Sequence, residues 1–315
     1  MSRDYATLQA AAHWFSVLQG DHVSEADRRA WREWMNVAEH ERAWQCVERI
    51  SAGFVPLARD PFAPDATALL QRRAPSRRQA LKALSVLGGG ALLALTGGAL
   101  PWRSWTADQR TLVGEVREWR LSDGTRIWLN TDSAADVSAG GAGTEVRLYR
   151  GELLVEAPAL TAPLRLHTAE GHLEAVVATQ FSVQQQAGRT QLSVFAGRLT
   201  VWPGGQGIAH RIVEGRQVSF NADALGRSEP AQTGRQAWAR GVLLADNRRL
   251  DDFLVELGRY RQGYLGCDPR IAGLRVVGAF PLADTDRVLE ALAGTLRLRV
   301  NRPLPWWVTL GPLSA

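Results

Sequence analysis

Between Lys82 and Arg103 the chain carries no charged residue. The run from Ala83 to Trp102 holds Leu84, Val86, Leu87, Leu92, Leu93, Leu95 and Leu100. A helix needs about 20 apolar residues to cross the hydrocarbon core of a bilayer. Glycines 88–90, 97 and 98 would weaken a water-exposed helix, but glycine is common in membrane helices. The run predicts a single transmembrane helix over residues 83–102, with a buried core helix as the competing reading. Arg72, Arg73, Arg77, Arg78 and Lys82 crowd its N-terminal side without an acid among them. Positive charge stays on the cytoplasmic side. The expected topology is therefore a single pass through the inner membrane, N-terminus cytoplasmic and C-terminus periplasmic. Ser76 to Lys82 is similar to a twin-arginine export signal: Arg77, Arg78, Leu81 and Lys82 match it, and Ala80 stands where an aromatic is usual.

That feature divides the remaining sequence of this 315-residue chain. Before it, Tyr5, Leu8, Ala11, Ala12, Phe15 and Leu18 recur at helical spacing. Ser24-Glu25-Ala26-Asp27 reads as an N-cap with acids in the first turn. Trp31, Trp34 and Met35 lie on one face of that second helix, and Ala43, Trp44 and Val47 belong to a third. Residues 1–52 are thus expected to be a small cytoplasmic helical domain. Trp14, Trp31, Trp34 and Trp44 either fill its core or leave one face for a partner, since aromatics and arginine dominate interface centres. Residues 53–82, with Pro56, Pro61, Pro64 and Pro75, read as a basic linker.

After the apolar run the period changes to two. Glu118 to Leu121, Arg126 to Leu129, Glu145 to Tyr149 and Leu153 to Val155 alternate, and Asp123-Gly124 is a hairpin signal. Further strands are expected near 164–168, 173–178, 180–185, 191–195, 198–202 and 216–220. Residues 106–235 are expected to form a periplasmic all-β domain, a sandwich or solenoid. Residues 236–315 mix periods and read as a small α+β unit, with helices from Leu250 and from the N-cap Asp284 and strands at Arg275-Val276-Val277 and Leu296 to Val300.

No glycine-rich phosphate loop, nucleophile elbow or zinc-type cysteine pair occurs. The six histidines stand singly. The sequence therefore predicts no enzyme, no metal and no cofactor. The net charge of +5 comes almost wholly from arginine, Lys82 being the only lysine. These arginines are scattered among acids apart from the cluster before residue 83, which argues against a direct nucleic-acid partner. Cys46 and Cys267 fall on opposite sides of the predicted membrane helix, so no disulfide is expected.

Several ordered motifs resemble those of the FecR family, transmembrane sigma-factor regulators of bacterial iron uptake. Ala11-Ala12-His13-Trp14, Trp31-Arg32-Glu33-Trp34 and Glu39 to Trp44 look like the family's cytoplasmic domain. Gly114-Glu115, Leu121 to Thr125, Leu129 to Ser133, Gly151-Glu152, Ala178 to Val183, Val194 to Arg198 and Val213 to Arg216 look like its β domain. Trp238 and Leu257 to Tyr260 complete the match. The resemblance implies an anti-sigma factor whose helical domain, through Trp14, Trp31, Trp34 and Trp44, binds an extracytoplasmic-function sigma factor. It implies a C-terminal unit, similar to the short N-terminal domain of secretins and TonB-dependent receptors, that meets the receptor's signalling domain, with Arg275, Val276 and Val277 as a candidate strand edge. It also implies stepwise proteolysis ending with a site-2-type protease. Some members of the family cut themselves at a Gly-Thr bond; the corresponding pair here is Ala178-Thr179, where Thr179 is otherwise an ordinary β-branched strand residue. The competing readings are a membrane-anchored periplasmic enzyme and an envelope carbohydrate-binding scaffold.

Overall fold

The computed structural model describes residues 2–18, 23–52, 107–205 and 207–313. Three helices open the chain: α1 (Ser2–Leu18), α2 (Glu25–Trp34) and α3 (Ala38–Ala52). Ala11, Ala12 and Ala43 are buried where α1 meets α3, and their small side chains let the helices approach. Phe15 and Trp44 fill the space beside them, ring centroids 5.7 Å apart. α2 has no fully buried residue and is begun by a capping box. The Ser24 hydroxyl accepts from the Asp27 N–H, and the Asp27 carboxylate accepts from the Ser24 N–H, each at 3.1 Å. Two donors that a helix start leaves open are thereby satisfied.

The β unit contains β1 (Gln109–Arg110), β2 (Arg117–Arg120), β3 (Arg126–Leu129), β4 (Ala134–Gly140), β5 (Gly143–Ala157), β6 (Leu164–Thr168) and β7 (Gly171–Ala175). It continues with β8 (Thr179–Gln186), β9 (Arg189–Ala196), β10 (Arg198–Pro203), β11 (His210–Val213), β12 (Arg216–Phe220) and β13 (Glu229–Pro230). All thirteen belong to one sheet. Its spine is the 15-residue β5. The first half of β5 pairs with β4 and β6, and the second half with β3 and β8. Gly151, at φ 89°, bends the strand between the halves; a Cβ there would lie 1.9 Å from Ser133 Oγ. The sheet curls so that Val146, Leu166 and Leu173 of one half share a core with Ile127, Leu153, Phe181 and Val194 of the other.

The C-terminal unit opens with a 3-10 helix (Thr233–Arg240), followed by β14 (Val242–Arg249), α4 (Leu250–Gly258), β15 (Tyr264–Cys267) and β16 (Arg275–Pro281). It ends with α5 (Thr285–Leu296), β17 (Leu298–Leu304) and β18 (Trp307–Pro312). β14 pairs with β16 as a two-stranded sheet, and β18 lies between β15 and β17 in a second sheet. Asp284 caps α5, its side chain accepting from the Arg287 N–H at 2.9 Å. Phe253, Leu254, Leu257, Leu289 and Val308 form a core that continues onto Trp128 and Leu154 of the β unit. At the tip of the β17–β18 hairpin, Trp306 sits edge-on to Phe15 of α1 at 5.6 Å, and Trp307 stacks on Tyr264 at 4.1 Å.

The expected architecture is corrected in two respects. First, no helix among the described residues is long and apolar enough to cross a membrane. The predicted span at 83–102 and the Arg77-Arg78 motif lie outside the described residues. The helical and C-terminal units also share one apolar cluster, in which Phe15, Trp44 and Val47 meet Leu304, Trp306 and Trp307. Burial of the Trp306-Trp307 pair, to which the sequence pattern assigns no element, drives this contact. Second, the β unit is neither two separate sheets nor a solenoid. Continuity of β5 through Gly151 joins both halves into one curled sheet.

Candidate functional site

The four tryptophans of the helical unit have different environments. Trp44 is buried between Phe15 and Trp31, with the Trp31 ring 5.1 Å away. Trp31 and Trp34 are half-buried on α2. Trp34 stacks on His40 at 4.4 Å, and His40 Nδ1 lies 2.7 Å from the Trp34 carbonyl oxygen. Trp14 is half-buried on α1 beside His13. The exposed residues around Trp31 and Trp34 include Arg28, Arg29, Arg32 and Glu33. Leu18, Val23, Arg28, Trp31 and Arg32 line a shallow groove of about 290 Å³ between α1 and α2. The α2 face is thus aromatic and cationic, with Trp44 packed behind it as core.

In the C-terminal unit, Arg275, Val276 and Val277 begin β16. Val276 is buried and packs inward, whereas Val277 is 71% exposed. Arg275 Nη1 donates to the Asn247 carbonyl at 3.0 Å. Arg275 and Val277 line a groove of about 990 Å³ together with Leu244, Arg235, Arg248 and Glu256. Burial works to raise the Glu256 carboxyl, but Arg259, Arg235 and Arg248 outweigh it and hold Glu256 below the ordinary glutamate value.

The Ala178-Thr179 pair stands where β8 begins. Thr179 is buried, and its hydroxyl donates to the Ala196 carbonyl at 3.0 Å. Ala178 is not among the residues with positive φ. Gly197 is, at φ 77°, and a Cβ on it would stand 2.2 Å from the Ala178 carbonyl oxygen. Among the described residues no group of three or more His, Cys, Asp or Glu is placed to hold a metal ion.

The sequence model of the FecR protein family matches residues 107–200, and that of the domain of unknown function DUF4880 matches residues 9–50. The FecR signature thus falls on the β unit and the DUF4880 signature on the helical unit. No curated protein matches it. Two crystal structures described as a "putative anti-sigma factor" from Parabacteroides distasonis share its fold. Each superposes with a TM-score of 0.51 at 18% identity, covering 65% of this chain and 98% or 99% of the other. The FecR match begins at the first described residue of the β unit and ends within β10.

Sequence reasoning missed the residues that join this FecR-family β unit to the C-terminal unit. Asn130, Glu152, Arg259 and Tyr260 occur in the motifs that carried the resemblance, yet nothing in their spacing shows that they meet. Asn130 Nδ2 donates to Glu152 Oε2 at 3.0 Å and to the Tyr260 hydroxyl oxygen at 2.9 Å. An asparagine and a glutamate set among the apolar residues of two strands were the one signal that could have found them, because buried polar groups need partners.

Proposed function

We propose that this chain regulates a sigma factor, binding it through the α2 face of the helical unit. The observation that carries the reading is the order of parts: a DUF4880 match over three helices, then a FecR match over the curled sheet. The exposed Arg28, Arg29 and Arg32 beside half-buried Trp31 and Trp34 supply the arginine and aromatic anchors on which interface energies concentrate. In its fuller form, the C-terminal unit meets the signalling domain of an outer-membrane TonB-dependent receptor. Regulated proteolysis ending with a site-2-type protease then frees the sigma factor to transcribe iron-uptake genes. These finer steps rest on the family resemblance.

The test is co-purification of the full chain with sigma factors of its own genome. Trp31→Ala, with Arg32→Ala, is expected to weaken capture by about 2 kcal/mol, roughly thirtyfold. Far-UV circular dichroism checks that the helices persist. Capture of no sigma factor by the folded chain overturns the proposal.

A further inference from the structure

Where the β unit meets the C-terminal unit, charges are buried rather than left at the rim. The Glu152 side chain, in the second half of β5, is 1% exposed. Its Oε2 lies 2.7 Å from Nη1 of Arg259, and the same Nη1 also pairs with Glu256 of α4. Asn130 bridges from the end of β3 to Glu152 and to Tyr260, and the Thr131 hydroxyl donates to the Arg259 carbonyl at 2.9 Å. Residues from distant parts of the chain thus converge on one boundary.

The opposite oxygen of Glu152 is not so held. Oε1 is buried and accepts no hydrogen bond. Arg235 of the 3-10 helix stands 3.9 Å from it and donates instead to Gln184 of β8. Arg235 therefore has two acceptors on the β unit within reach and is committed to the neutral one. A buried ion pair adds little over apolar packing, but separating its partners leaves an uncompensated charge unless both reach water. Arg235 and Glu256 also line the groove of the C-terminal unit, which brings the cluster within reach of an occupant there.

We propose that Glu152, Arg259 and Arg235 form a latch between the two units. Closed, it holds α4 and the 3-10 helix against the curled sheet. Open, it releases the C-terminal unit from the sheet while both stay folded.

Hydrogen exchange of the full chain, followed by mass spectrometry, tests this. Glu152→Gln keeps the side-chain shape and removes the charge. It is expected to speed exchange about tenfold in peptides covering 233–240 and 250–260, leaving β8 and β9 unchanged. Arg259→Met should act alike, and the double variant should be no worse than either single one, because the two groups act as one unit. Arg235→Met, which spares the Glu152–Arg259 pair, should give a smaller change in the same peptides and serves if Glu152→Gln fails to fold. Equal acceleration throughout the β unit means that the cluster only stabilises the fold, and it overturns the latch, as does unchanged exchange in all variants.

Discussion

Thr179 shows how one hydrogen bond bears on reactivity. For a hydroxyl to attack the preceding carbonyl, it must be aimed there and the peptide must be distorted. In this chain the hydroxyl is engaged with Ala196, and Ala178 lies outside the left-handed region. The chain is therefore expected to stay in one piece. Ala178→Gly, by widening the accessible backbone angles, should increase cutting, and Thr179→Ala should remove what cutting exists. Intact-mass measurement decides: spontaneous fragments ending at Ala178 in the unsubstituted chain contradict this expectation. Gly151 is the opposite case, a residue fixed by space. With φ at 89° and Ser133 in the way of any Cβ, Gly151→Ala should destabilise the β unit by about 2 kcal/mol or more, read as a lowered melting temperature.

Among the elements, α2 depends most on its own termini, since it buries no residue fully. Ser24→Ala removes the side-chain cap, and is expected to cost about 1 kcal/mol. The loss should appear as reduced helical circular dichroism on warming, and an unchanged melt would show that Trp31 and Trp34 alone hold the helix. Elements of this kind are legible in sequence because their signals are local. Ser24 and Asp27, Asp284 before α5, and Asp123-Gly124 between β2 and β3 each act within a few residues, and Gly124 takes the φ of 85° that such a turn demands. β5 is harder to read. Glycine usually punctuates strands, so Gly151 reads as a break, whereas here it bends a strand that continues. β18 escapes notice because Pro305 precedes it, Pro312 ends it, and one of its two partners, β15, lies about forty residues earlier and runs parallel. Least legible is the Glu152 cluster, whose members have meaning only once β3, β5 and α4 are brought together. The Trp306-Trp307 pair likewise has no local partner to announce where it is buried.

For the whole molecule, the boundary charges set the response to acid. Glu256 is held below its ordinary value, so its folded form binds fewer protons than its unfolded form. The stability this supplies is complete above the ordinary glutamate range, about pH 4.3, and is lost as pH falls through the lower folded value. The melting temperature should accordingly drop below about pH 4, and less steeply in Glu256→Gln; equal slopes would assign the acid sensitivity to other carboxylates. The continuous β5 has a mechanical consequence as well. Fifteen residues bonded along both edges and pulled lengthwise load many hydrogen bonds at once, so the strand resists in shear. The β14–β16 ribbon, held by a single partner along one edge, peels bond by bond. Tension applied through the chain should extend the C-terminal unit first and leave the curled sheet as the last part to yield.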